Sequence, residues 1–275
     1  MRYLKKVFLI LFLMVISTSV WSKDTIYFAP LPMKKAKKIV QDLLPLVEYL
    51  QEKLSVEIKF NYKSDYGDIL KGFENNTIDI AVLGPLPYAI LKSQYTYVEP
   101  IVLFKQKNGS THYRCVLSKF VEDDINVSKP IKIALTQPLS TCGYYMSKKL
   151  LKKRYNIDIK DQYYKYTMSH TNAMTEALKG EFDIAGASEF IAQKYKSLGM
   201  ETVAQSELLP GFSIVVNTTT LSADMIQRLR DALLSIPPSS LKAWGGKSKY
   251  GLSRANAHLY DSIKVDFDIP KKGNL

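Results

Sequence analysis

The chain has 275 residues, 46% of them hydrophobic and 23% charged, with 13 Gly, 12 Pro and 2 Cys. That balance excludes a disordered chain, a collagen-like repeat and a disulfide-stapled scaffold, and the length suffices for one large domain or two smaller ones. A formal charge of +12 points to acidic partners: a nucleic acid, an anionic surface or a small anionic ligand.

The N-terminus narrows that choice. Arg2, Lys5 and Lys6 precede the apolar run Val7 to Ile16, and mostly small residues fill 17–22, which is the layout of a secretory signal. We read residues 1–22 as a signal peptide cleaved after Ser22, with cleavage after Ser19 as the competitor. The run is short for a bilayer span, which favours an exported periplasmic protein over an uncleaved membrane anchor. Export argues against nucleic acid as the partner, and loss of the three basic residues leaves a formal charge of +9. Lysine groups such as Lys34, Lys35, Lys37 and Lys38, or Lys148, Lys149, Lys152 and Lys153, read as solvated helix faces.

From there strands and helices alternate. Thr25 to Ala29 is β-prone, and Pro30 and Pro32 break it. Apolar positions from Ala36 to Leu54 recur at helical spacing, with Pro45 a kink or boundary. Val56, Ile58 and Phe60 alternate as a half-buried strand. A helix over 65–74, the turn Asn75-Asn76-Thr77, the strand Ile78 to Leu83 and a Gly-Pro break follow. Short apolar strands between helices predict a buried parallel sheet.

An internal echo is the most informative pattern. Leu70-Lys71-Gly72, Ile78-Asp79-Ile80-Ala81 and Gly84 return as Leu178-Lys179-Gly180, Phe182-Asp183-Ile184-Ala185 and Gly186. Each copy reads as a helix ending at Gly, a turn, a strand opened by Asp and a loop into another helix. Two similar α/β lobes are therefore expected: residues 23–112 as lobe 1, 113–211 as lobe 2, and 212–275 returning to lobe 1 with the C-terminal helices. In lobe 2 we expect strands over 113–117 and 131–135 and helices over 144–153 and 172–179. Strands near 202–204 and 212–216 read as crossovers between lobes, and a helix over 223–234 is capped by Ser222.

In open α/β sheets ligands bind beyond the carboxyl ends of the strands, and three such loops are chemically unusual. Thr136 to Gly143 carries the hydroxyls of Ser140 and Thr141 into a helix N-terminus, where unpaired N–H groups and the helix dipole favour an anion. Gly84-Pro85-Leu86-Pro87-Tyr88 brings a tyrosine that can donate its phenol or pack in the core. Ser169-His170-Thr171-Asn172 places an imidazole at a helix start. Cys115 and Cys142 can form one disulfide in an oxidising compartment, but their spacing does not demand it. No His or Cys pair has metal-ligand spacing, and His112, His170 and His258 are far apart in sequence, so we expect no metal and no cofactor.

Taken in order, Ser64-Asp65-Tyr66, Asp79-Ile80-Ala81 before Gly84-Pro85 and Tyr88, Ser140-Thr141-Cys142-Gly143, His170, and Asp183-Ile184-Ala185 near Glu189 resemble the periplasmic binding proteins of phosphonate, phosphite and phosphate ABC transporters, over Phe28 to about Pro237. The resemblance implies a two-lobed type II periplasmic binding fold, closing on an oxyanion held between α/β lobes. It implies ligand-binding roles for Tyr66, Tyr88, Ser140, Thr141 and His170. Cys142 departs from a Ser-Thr-Ser-Gly pattern: a thiol is the weaker donor, which leaves its backbone N–H or another arrangement of the third oxygen. Glu189 lies near a position where an acidic residue meets a ligand ammonium, although the preceding loop is a residue shorter. The expected function is a monomeric, non-enzymatic periplasmic receptor that delivers a phosphonate-like or phosphate-like anion to a membrane permease. Alternatives are a sensory module for a membrane kinase or chemoreceptor, a binder of another solute such as a thiamine precursor, or a hydrolase using Cys142 with His170.

Overall fold

The structure, a computed structural model, describes residues 25–32, 36–244, 246, 248–265 and 268–275. The expected signal peptide lies outside these residues, as do Lys34 and Lys35. Among the described residues, no helix is long and apolar enough to cross a membrane.

The first part of the chain runs β1 (Thr25–Ala29), α1 (Ala36–Leu54), β2 (Glu57–Phe60), α2 (Tyr66–Glu74), β3 (Ile80–Leu83), α3 (Pro85–Gln94), β4 (Val98–Phe104) and β5 (His112–Tyr113). The middle runs β6 (Cys115–Phe120), β7 (Lys132–Leu135), α4 (Met146–Tyr155), β8 (Tyr163–Tyr166), α5 (His170–Leu178), β9 (Ile184–Ser188), α6 (Glu189–Ala192), β10 (Met200–Gln205) and β11 (Leu209–Pro210). The chain then continues through β12 (Ser213–Asn217), α7 (Ala223–Leu234), α8 (Pro238–Ala243) and β13 (Leu252–Arg254). Helix α1 passes through Pro45 without ending. Burial of Ile39, Leu46, Val47, Leu50 and Leu54 along one stripe holds it to the sheet.

Two main sheets form, with strand orders β13-β4-β12-β3-β1-β2 and β10-β6-β9-β7-β8. Strands β2, β1 and β3 are parallel in the first, and β8, β7 and β9 in the second. Next to each parallel triplet lies an antiparallel strand, β12 beside β3 and β6 beside β9, followed by β4 and β10. The sheets are thus mixed, where sequence alone predicted parallel ones. The reason is connectivity: β6 follows strands of the first sheet and β12 follows strands of the second, so each enters from the other lobe and runs against the triplet.

The crossing itself also differs from expectation. The strands read as crossovers, near 202–204 and 212–216, are β10 and β12, and each belongs to one sheet. The two connections instead run side by side as β5 and β11, an antiparallel ribbon pairing Tyr113 with Leu209 and His112 with Pro210.

The internal echo has the same physical content in both copies at its aspartates. Asp79 Oδ2 accepts from Tyr27 N at 2.7 Å while Asp79 N donates to Tyr27 O at 3.0 Å. Asp183 Oδ2 likewise accepts from Lys132 N at 2.6 Å while Asp183 N donates to Lys132 O at 2.9 Å. Each aspartate therefore fastens the third strand of its triplet to the central one. The glycines diverge. Gly180 has φ +76 beyond the end of α5, as a left-handed cap requires. Gly72 lies inside α2, where a Cβ would run into Ile78, and Asn76 with φ 56 takes the left-handed position instead.

The C-terminal stretch also departs from expectation. Tyr260 and Ile263 are buried in the same cluster as Tyr88 and Leu86 of α3. Residues 268–275 instead lie along β8, at the edge of the second sheet. Asn274 N donates to Tyr164 O at 3.0 Å, Tyr164 N donates to Asn274 Oδ1 at 2.8 Å, and Asn274 Nδ2 donates to Gln162 O at 2.9 Å. Tyr166 OH adds a bond to Pro270 O at 2.8 Å, and Lys160 pairs with Asp268. An edge strand offers unpaired backbone groups, and the tail fills them.

Candidate functional site

The seven residues singled out in the sequence sit in the first turns of helices that follow strands. Tyr66 opens α2, Tyr88 is in the first turn of α3, Ser140 caps a wide turn over Thr141–Tyr145 that includes Cys142, His170 opens α5 and Glu189 opens α6. Asp65 caps α2, accepting from Asp68 N at 2.9 Å, and Ser169 caps α5, accepting from Asn172 N at 3.0 Å.

The loop after β7 is folded on itself. Ser140 N donates to Gln137 O at 3.1 Å and Gly143 N donates to Ser140 O at 2.9 Å. A Cβ on Gly143 would stand 2.5 Å from Gln137 O and 2.9 Å from Thr136 Oγ1, so close backbone approach demands glycine here. Ser140 is 4% exposed, and its hydroxyl makes no capping bond within its own turn.

Cys142 is bonded to Cys115, which settles the pairing that spacing left open. Strand β9 lies between β7 and β6, so the loop must pass over it to reach Cys115. Gly186 on β9 allows this: its missing side chain leaves room for Ser147 Oγ, and a Cβ there would be 3.2 Å from Cys142 O. As a half-cystine Cys142 has no S–H to donate, which corrects any reading of its thiol as a ligand donor and leaves only its backbone N–H. The hydrolase alternative loses its nucleophile by the same bond.

Thr141 reaches across the lobes. Its Oγ1 accepts from Leu86 N of α3 at 3.0 Å. The first turn of α3 explains this bond. Pro85 and Pro87 have no N–H and Tyr88 N donates to Gly84 O at 3.1 Å, so Leu86 supplies the one N–H that turn can offer a partner. The Thr141 oxygen is thus engaged by Leu86 N, which leaves its O–H as the group that a ligand could accept from.

Aromatic residues wall the same region. Tyr66, Tyr88, Leu86, Cys115, Cys142, Tyr145 and Tyr260 belong to one buried cluster, with Tyr113 and Leu139 packed against it. Burial pushes the Tyr66 phenol well above its ordinary range, and the neighbouring Tyr113 adds to this. Burial likewise raises Tyr113, with the nearby Thr141 hydroxyl opposing it. Tyr88 is 1% exposed, lies 4.6 Å from the Tyr260 ring and has no hydrogen-bond partner for its hydroxyl. Burial, followed by the carboxylates of Glu99 and Asp261, pushes its phenol up to about 12.

His170 and Glu189 form a second grouping on lobe 2. Ser188 N donates to His170 Nδ1 at 3.1 Å, which places the proton of a neutral ring on Nε2. Glu189 follows directly, half-exposed, with its backbone N–H donating to Arg114 O at 2.9 Å. Sequence reasoning missed Tyr113, Leu86 and Gln137. The Pro-Leu-Pro pattern held the signal for Leu86, because two prolines leave a single N–H between them. Among the described residues no His, Cys, Asp and Glu cluster could hold a metal ion.

Known proteins match the chain in family and in fold. The family described as the periplasmic substrate-binding protein of phosphonate ABC transporters matches residues 28–260. The phosphate-import protein PhnD of Mycolicibacterium smegmatis is 25% identical over 126 residues, 44% of this chain and 39% of that protein, so the match spans well under half of the relative. Among solved structures, a binding component of an ABC phosphonate transporter from Pseudomonas aeruginosa has a TM-score of 0.72 at 17% identity, over 87% of this chain and 84% of the other. PhnD1 from Prochlorococcus marinus, solved with methylphosphonate, has a TM-score of 0.71 at 14% identity, over 87% and 96%. The fold is that of two-lobed periplasmic binding proteins, and with the family match extending from β1 to beyond β13, the chain belongs to the periplasmic substrate-binding proteins of phosphonate ABC transporters.

Proposed function

We propose that the chain captures a phosphonate-like or phosphate-like oxyanion between its lobes and presents it, as an exported periplasmic monomer, to an ABC permease. The observation that carries this reading is the Ser140–Thr141 loop, which lobe 2 extends to the first-turn N–H of α3 in lobe 1. In this reading Ser140, the Cys142 backbone N–H, the Tyr66 and Tyr88 phenols and His170 Nε2–H donate to the anion's oxygens. Thr141 joins them through its O–H while its oxygen accepts from Leu86 N, and Glu189 faces an ammonium if the ligand has one. Bonds of this charge-assisted kind contribute roughly 1.5 to 3 kcal/mol each in a site that excludes water. The chain binds and releases its ligand unchanged.

A thermal-shift screen of the mature protein against phosphate, phosphite, methylphosphonate, 2-aminoethylphosphonate and sulfate tests the reading. A ligand that binds only the folded protein raises its melting temperature. Ser140→Ala is expected to weaken the responding anion about 10-fold or more while the empty protein melts as before. Unchanged affinity in that variant would remove Ser140 from the site.

A further inference from the structure

Gln137 stands in the anion loop, yet nothing in the proposed ligand contacts uses it. It is 1% exposed, and its side-chain amide donates from Nε2 to two carbonyl oxygens: Pro32 O, after β1 in lobe 1, and Met168 O, after β8 in lobe 2, the latter at 3.3 Å. Two carbonyl acceptors fix the orientation of the amide, since Oε1 cannot face either of them. Gln137 Oε1 is consequently buried without a partner. The side chain thus fastens one lobe to the other through a single nitrogen.

Its second acceptor belongs to the segment that carries His170. Met168 has φ 70, a left-handed conformation that costs an unbranched non-glycine residue free energy and persists only when its surroundings hold it. Bonds to β7 and the anion loop do so: Thr167 N donates to Leu135 O at 2.7 Å, Met168 N donates to Thr136 O at 2.9 Å, and Gln137 takes Met168 O. Two residues further on, His170 begins α5. Closing lobe 1 onto Gln137 therefore bears on the same amide that holds the histidine segment.

We infer that Gln137 is a positioning residue for closure: its amide couples the meeting of the lobes at Pro32 to the placement of the His170 segment. This deepens the proposed function, on which only its ligand-dependent half rests. Gln137→Leu removes both donated bonds together with the unpartnered acceptor, and Gln137→Glu keeps the shape but sets a carboxylate against two carbonyl oxygens. Losing the unsatisfied acceptor offsets the lost bonds in the folded lobe, so the melting temperature of Gln137→Leu is expected to change little.

The test measures the distance between nitroxide labels at exposed positions 71 and 179, one on each lobe, attached through keto-bearing side chains that leave the disulfide untouched. Distance distributions are recorded without ligand and with saturating phosphate or methylphosphonate. In Gln137→Leu the closed-to-open ratio is expected to fall about 10-fold at every ligand concentration, and further in Gln137→Glu. Distributions identical to the parent's would overturn the inference, as would His170 ring proton and nitrogen NMR signals in Gln137→Leu that match the parent's, or a parent that populates no closed form under any condition. If neither anion shifts the parent while Gln137→Leu still opens the ligand-free protein, the ligand assignment fails and the positioning role stands.

Discussion

Tyr88 shows how one buried atom can separate stability from binding. Its hydroxyl is buried without a partner, and an unsatisfied donor of that kind costs a fold about 1 to 3 kcal/mol. Tyr88→Phe should therefore leave the melting temperature of the empty protein unchanged or higher, while weakening binding of the proposed oxyanion about 10-fold by calorimetry. A variant that lost stability and kept its affinity would make Tyr88 a packing residue. The phenol also predicts a pH dependence. Its folded pKa is raised from 10.0 to about 12, so the folded state holds the proton more tightly and stability falls as pH rises through that interval. Denaturant titrations between about pH 10 and 12 should show a shallower fall in Tyr88→Phe. The sequence made Tyr88 a candidate through its place after Gly84-Pro85. Its enclosure by Tyr260 could not be read there, because the two residues are distant in the chain and meet only through the tertiary fold.

Helix beginnings carry most of the candidate site, and these were the most readable parts of the sequence. A strand, a loop with Gly or hydroxyls and an amphipathic run specify a helix start locally, which is why Ser140, Thr141 and His170 could be placed there in advance. The disulfide was not readable, because it depends on which strand lies between β7 and β6 and on a glycine in that strand. Its 27-residue separation implies a stabilisation of about 3 to 4 kcal/mol from loop-closure entropy. Reduction should lower the denaturation midpoint accordingly. It should also weaken anion binding, since the freed loop must order on each encounter. Cys115→Ala with Cys142→Ala isolates the tether: it removes the bond and, unlike reduction, puts no S–H donor at position 142. If affinity in this pair equals that of the oxidised parent, the tether does not organise the loop. Gly186→Ala is expected to act like reduction, by holding the loop away from β6, and a thiol titration of the folded variant reads out the unpaired cysteines.

At the level of the whole molecule, the repeated Leu-Lys-Gly and Asp-Ile-Ala segments foretold two lobes of the same build, and the paired aspartates show why that much was legible. An aspartate that clamps two neighbouring strands is a local device and leaves a local trace. The antiparallel strands exchanged between lobes and the ribbon of β5 and β11 leave none, because they follow from the path of the chain as a whole. That ribbon places Tyr113 in the connection between lobes, with its ring stacked on Phe212 at 5.9 Å. Tyr113→Ala, which removes the stacked ring, should therefore alter the rate of lobe closure in stopped-flow fluorescence about 3- to 10-fold, as expected for an aromatic pair worth about 0.5 to 1.5 kcal/mol.

The tail beyond Tyr260 gives the molecule a third chain connection between its halves, since Tyr260 is anchored beside α3 and Asn274 is stitched to β8. Two adjacent strands alone would let the halves swing and twist about a common axis. With the extra tie, wide excursions must first unzip Asn274 from the sheet margin. The Tyr164 and Asn274 amides then become a clock for the rarest, widest gape: their deuterium uptake should slow when a captured anion holds the jaws shut, and quicken in a chain shortened before Asp268.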